Sequence, residues 1–173
     1  MSRTAVLAAA CALLVLGAAP AALAAPPPHV GISSYAELQT PLPYPYDEQA
    51  DANAAVAAAR AQARAGHKRL LIDLGGNWCA DCRILAATLE LPEVRAFVAA
   101  HYVLVAVDVG RFDRNLQIPA RYGIRSRLEG VPSLLVIDPG SDRLLNPRQV
   151  SALADARSMT PQALADWLAQ WTP

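Results

Sequence analysis

RLLIDLGGNWCADC, residues 69–82, is the stretch on which the fold of this chain turns. Arg69 to Leu74 is a short apolar run and reads as a strand. Gly75-Gly76-Asn77-Trp78 reads as a turn. From Cys79 to about Glu90 the pattern is helical, with Leu85 and Leu89 on one face. Cys79 and Cys82 therefore sit where a strand feeds the start of a helix. Side chains at i and i+3 on a helix have Cβ atoms about 5–6 Å apart. A disulfide needs about 3.5–4.5 Å, so a modest local adjustment makes or breaks the bond. Cys79 lies at the helix N-terminus, where unpaired N–H groups and the macrodipole favour a thiolate. It is expected to be the exposed, low-pKa nucleophile, and Cys82, one turn inside, the buried resolving partner.

The remaining cysteine, Cys11, falls in a segment with the marks of a secretory signal. Arg3 is the positive end, Ala5 to Ala19 is an apolar run too short to span a bilayer, and Ala22-Leu23-Ala24 is a small-x-small cleavage site. Residues 1–24 are therefore expected to be removed, leaving one cysteine pair in an exported protein, periplasmic or secreted, without a membrane span. The pair suits exchange better than structure. One Cys-x-x-Cys gives two ligands where structural zinc wants four, and His29, His67 and His101 are scattered. An inert disulfide over so short a loop would stabilise little. The chain has 15 basic and 15 acidic residues, so no basic field for nucleic acid exists.

Outward from the pair, residues 25–46 are proline-rich and aperiodic, a linker or a wrapping arm, and 47–173 form one domain. Asp47 to Ala65 carries acid at its start, Arg60 and Arg64 near its end and Gly66 beyond, all helix signals. Pro92 restarts a helix through Val94, Phe97 and Val98. Tyr102 to Val109 reads as a buried strand and Asp113 to Tyr122 as a helix closed by Gly123. Ser133 to Ile137 is the next strand, and Asp138-Pro139-Gly140-Ser141 turns it towards an edge strand at 143–145. Thr160-Pro161 starts a last helix whose apolar side includes Leu164, Trp167, Leu168 and Trp171. The order α-β-α-β-α-β-β-α makes a small α/β sandwich.

Asp73-Leu-Gly-Gly-Asn-Trp78-Cys79-Ala-Asp-Cys82 resembles the active-site segment of the thioredoxin superfamily, and Gly130-Val131-Pro132-Ser133 before an apolar strand resembles its cis-proline loop. The resemblance runs from Arg69 to the C-terminus and is strongest to exported bacterial thioredoxin-like proteins. It implies an α/β thioredoxin fold, a central mixed sheet of about four strands flanked by helices. It implies that Cys79 attacks, Cys82 resolves and Trp78 shields the pair. Asp73 would be the buried acid that takes the resolving thiol's proton. Pro132 would present the backbone of Val131 to a substrate segment as an added strand does.

Three departures modify that picture. Asp81 places a carboxylate beside both sulfurs, which should raise the thiolate pKa and favour electron donation. Gly75-Gly76 replaces bulkier residues, so a more open rim is expected. Arg125 to Glu129 is an apparent insertion that brings Arg125 and Arg127 towards the groove or leaves them as solvated surface groups. The expectation is a thiol–disulfide oxidoreductase acting on protein thiols or disulfides, in the reducing direction. It would need no bound cofactor or metal and would be served by an envelope electron donor or acceptor. The alternative is a non-catalytic module that holds a peptide in the Val131-Pro132 groove.

Overall fold

A computed structural model describes residues 24–172. Residues 1–23 of the expected signal segment, Cys11 among them, lie outside the described residues. Among the described residues, no helix is long and apolar enough to cross a membrane.

The elements are α1 (Ala52–Ala65), β1 (Arg69–Gly75), α2 (Ala80–Leu89), α3 (Pro92–His101), β2 (Tyr102–Asp108), α4 (Gln117–Arg121), β3 (Ser133–Asp138), β4 (Arg143–Leu144) and α5 (Pro161–Ala169). They build one mixed sheet in the order β2-β1-β3-β4. β1 runs parallel to β2 and antiparallel to β3, and β4 returns antiparallel to β3. Alternation across the pleat divides the core. Leu70, Ile72, Leu135 and Ile137 face α1 and α4, while Leu71, Leu134 and Val136 face α2, α3 and α5. Asp73 pairs with Leu134 in the β1–β3 register, which puts its side chain on the α2 face.

Local chemistry sets the helix ends. Asp51, not Asp47, caps α1 by accepting from the Ala54 N–H at 3.0 Å. Asp47 instead closes a separate turn onto the Gln49 N–H. Pro92 and Pro161 stand at the first positions of α3 and α5, and Thr160 accepts from the Ala163 N–H. Trp167 is buried on α5.

Two expectations need correction. Strand 102–108 is not buried throughout: it is the sheet edge, and Leu104 is 39% exposed. The helix expected over 113–122 shrinks to Gln117–Arg121. Gly110, Phe112 and Asn115 all take positive φ, which breaks the helix before it starts. The Asp113 carboxylate accepts from the Arg111 N–H at 2.8 Å and locks that turn.

Residues 25–46 lie along the domain. Ala25 N–H donates to Thr172 Oγ1 at 2.6 Å, and Val30 N–H to Gln162 Oε1 at 2.9 Å. Arg83 of α2 donates to the Leu42 and Pro43 carbonyls and stacks 4.0 Å from the Tyr44 ring. The segment ends with Tyr46 buried against the β1–α2 junction.

Candidate functional site

Strand β1 delivers Asp73 and Gly75 to the C-terminal end of the sheet, and α2 begins there at Cys79. Cys79 is the N-cap of α2: its sulfur accepts from the Cys82 N–H at 3.2 Å. A thiol hydrogen on the same sulfur points to the Val131 carbonyl, 3.3 Å away. The Val131-Pro132 peptide is cis, as the loop's resemblance implied. The structure thus gathers Cys79, Cys82, Asp73, Val131 and Pro132 at one end of the sheet, with both cysteines unbonded.

The Cys79 thiol is lowered to about 7. The hydrogen bond from Cys82 is the main cause, with the N-terminal backbone donor adding to it against the cost of burial. The same thiol–thiol bond and full burial push Cys82 strongly upward. Two neighbouring thiols pulled apart in this way divide into a thiolate-forming member and a proton-holding member. Burial is not divided as expected. Cys79 is only 6% exposed, because the Val131 backbone lies over its sulfur.

Trp78 is 44% exposed. Its Nε1–H donates to the Gly110 carbonyl at 2.7 Å, and its ring meets Phe112 edge-on at 6.1 Å. The indole is therefore tied to the 109–116 turn beside the pair.

Asp73 is fully desolvated, and that raises its carboxyl from 3.8 to about 7. One group opposes the rise. The Tyr46 hydroxyl donates to the carboxylate, 3.0 Å from one oxygen and 2.9 Å from the other. Tyr46 belongs to the proline-rich arm and escaped the sequence reading. Its position is fixed from both sides, because Asn77 Oδ1 accepts from the Tyr46 N–H at 3.1 Å and Asn77 Nδ2 donates to its carbonyl at 2.8 Å. Burial between Asp73 and Cys82 pushes the phenol far above its ordinary range, so it stays a neutral donor.

Gly75 makes this approach possible. A Cβ there would lie 2.3 Å from the Tyr46 oxygen and 2.8 Å from the Cys82 sulfur. The open rim expected from Gly75-Gly76 is thus absent: Tyr46 occupies the space at Gly75, and the Trp78 ring occupies that at Gly76. An apolar cleft reaches Asp73 from the β2 edge, lined in part by Pro45, Leu89, Val98 and Leu104.

Asp81 raises the Cys79 pKa, as expected, but it has a partner that the sequence did not show. Burial alone would push its carboxyl up, but Arg157 outweighs that and holds it below the ordinary range. The Arg157 N–H donates to Oδ1 at 2.9 Å, its Nε reaches both oxygens at 3.0 and 3.1 Å, and its Nη2 closes the ion pair. A residue 76 positions away thus pairs with the carboxylate, whose charge still pushes the Cys79 thiol up, but by less than the Cys82 hydrogen bond pulls it down. Among the described residues, no group of three or more His, Cys, Asp or Glu side chains gathers to hold a metal.

A family model described as thioredoxin-like matches residues 51–139, just over half of the chain. The chain belongs to the thioredoxin-like family. Among solved structures it is similar to a disulphide isomerase from Xylella fastidiosa Temecula1, with 37% identity, 75% of this chain and 97% of that one covered, and a TM-score of 0.67. Thioredoxins of Alicyclobacillus acidocaldarius subsp. acidocaldarius and Rickettsia bellii (strain RML369-C) are 33% and 27% identical over 75 and 74 residues. Each match covers 43% of this chain, and the chain spans 63% and 62% of the two relatives' lengths.

Proposed function

We propose that this family member is an exported thiol–disulfide oxidoreductase that reduces protein disulfides. The observation that carries the reading is the Cys79–Cys82 pair at the head of α2, with the Cys79 sulfur facing the cis Val131-Pro132 peptide and Asp73 buried on β1. The Cys79 thiolate attacks one sulfur of a client disulfide, forming a mixed disulfide and releasing the other client sulfur as a thiolate. Cys82 then loses its proton to Asp73 and attacks the Cys79 sulfur. The second client sulfur leaves, the client has gained two electrons, and Cys79 and Cys82 are joined as a disulfide. A dithiol partner, in this reading an envelope electron donor, reverses that oxidation. Trp78 and the Val131-Pro132 backbone border the client segment.

The direction rests on the thiolate. A Cys79 pKa of about 7 matches the value of about 7 for thioredoxin and is far from the value of about 3.5 in strong oxidants. A modestly stabilised thiolate makes a modestly stabilised dithiol, which gives up electrons readily. Equilibration with glutathione should give a potential nearer the roughly −270 mV of thioredoxin than the roughly −120 mV of a strong oxidant. The latter value would overturn the direction. Cys79→Ala should abolish turnover, and a variant that still performed the protein's role by holding a peptide would favour the binding-module reading. Export rests on the sequence of residues 1–24. Intact mass of the protein recovered from the producing cell's envelope should show loss of that segment and two thiols after reduction, and a species retaining Cys11 would refute it.

A further inference from the structure

A continuous row of side chains runs beside the cysteine pair: Arg111, Trp78, Phe112 and Arg127. The Arg111 guanidinium lies 4.6 Å from the Trp78 ring centroid. Trp78 meets Phe112 edge-on, and the Arg127 guanidinium lies 4.4 Å from the Phe112 ring. Trp78, second in the row, is the chain neighbour of Cys79, and Arg111 at one end stacks on it. Arg127, at the other end, is four residues before Val131, whose carbonyl faces the Cys79 sulfur.

The turn that presents the row is firmly built. The Val109 N–H donates to the Gly75 carbonyl at 2.8 Å, and the Phe112 N–H to the Val109 carbonyl at 2.9 Å. Asn115 Nδ2 donates to the Asp108 carbonyl at 2.8 Å. Phe112 itself is held at φ 68°, a region that bulky residues rarely occupy.

The charge of the row is uncompensated. Among the described residues Arg111 and Arg127 form no ion pair, and in that they resemble Arg64, Arg83 and Arg125 but differ from Arg114 and Arg157. The Asp113 carboxylate accepts the Arg111 backbone N–H at 2.8 Å and forms no ion pair with the Arg111 guanidinium. Glu129, two residues beyond Arg127, is the one acid that follows it in the loop. A guanidinium stacked on a ring keeps its edge N–H donors free for a carboxylate.

We infer that the Arg111–Trp78–Phe112–Arg127 row is the docking surface for an acidic client segment, with aspartate or glutamate flanking the client's disulfide. The two arginines take the carboxylates, and the rings take the apolar residue between them. This rests on the exchange reading only for its consequence in rate; the surface itself binds whether or not electrons move.

The test uses the signal-free protein and three peptide disulfides of equal length, flanked by Glu, by Lys or by Ser. At low salt the acidic peptide should exchange about tenfold faster than the uncharged one, within the range that charged clefts give, and the lysine peptide slower. In 1 M salt, where the Debye length is about 3 Å, the difference should collapse. It should collapse likewise in Arg111→Gln/Arg127→Gln, whose folding is checked by thermal melting, with Arg127→Gln alone as the milder variant. Where the peptides are exchanged, an acidic peptide no faster than the uncharged one, or a preference that survives both substitutions, overturns the surface. Anisotropy with a labelled acidic peptide whose cysteines are alanine separates the two readings. Salt-sensitive binding by wild type that the double variant loses supports the surface even if no peptide is exchanged, an outcome that would sink the exchange reading alone. No binding of the acidic peptide overturns the surface. If glutathione, a small anionic thiol, competes as well as the peptide, the commitment to a protein segment is wrong.

Discussion

Tyr46→Phe isolates the proton on Asp73. The substitution keeps the ring that fills the space over Gly75 and removes only the hydroxyl that donates to both carboxylate oxygens. A hydrogen bond to a charged group contributes about 1.5–3 kcal/mol. That bond favours the ionised carboxylate, so its loss raises the Asp73 pKa. At about 1.4 kcal/mol per unit, the rise is about one to two units. From its starting value of about 7, Asp73 would then titrate between about 8 and 9. At pH 7 the ionised fraction able to take the Cys82 proton would fall from about one half to about one tenth or less. Resolution of the mixed disulfide should slow about fivefold or more at pH 7 and recover as pH rises through the new pKa. The first attack by Cys79 should change much less, because its thiolate is set mainly by Cys82 and the helix terminus. Rapid-quench separation of mixed-disulfide formation from its resolution, across pH 6 to 10, reads both steps. A resolution profile that overlays the wild type would refute the assignment of Tyr46 to Asp73. An equal loss in both steps would mean that Tyr46 acts only through packing.

Two further substitutions probe the charges around the pair. Asp73→Asn should stabilise the fold, and increasingly so at higher pH. Its folded pKa of about 7 lies above the unfolded 3.8, so wild-type stability is highest below about pH 4, falls as pH rises to about 7 and is level above, a loss of at most about 4 kcal/mol. Urea unfolding at pH 5 and pH 8 should show the variant's advantage growing between the two, and a pH-independent difference would contradict a buried, raised carboxyl. Arg157→Gln leaves the Asp81 charge beside Cys79 unopposed and should raise the Cys79 pKa by about one unit. The pH dependence of Cys79 alkylation measures this, and an unmoved profile would reduce the Arg157–Asp81 pair to a structural contact.

The contrast between what residues 69–82 and residues 25–46 reveal has a physical basis. Strand β1, helix α2 and the placement of both cysteines follow from local propensity and periodicity, which a contiguous stretch contains. Asp73 is legible through the resemblance, which matches the residue six before Cys79 to a buried acid; the strand pattern alone leaves it equally a cap on the turn. Tyr46 and Arg157 are not, because each reaches the site from an aperiodic segment. Tyr46 follows a run of prolines with no pattern to say which face it presents, and Arg157 lies in a single 3-10 turn of three residues. Neither can be placed until the sheet exists to receive it. The partner of Asp81 is hidden for the same reason. A carboxylate read from its sequence neighbours alone has no partner, and only the fold brings in the guanidinium that pairs with it. Charge balance at this site is a tertiary property, whereas the position of its nucleophile is a secondary-structure property. Substitutions at Tyr46 and Arg157 should accordingly tune the exchange steps while leaving the Cys79–Cys82 geometry intact, and substitutions within 75–82 should disturb the geometry itself.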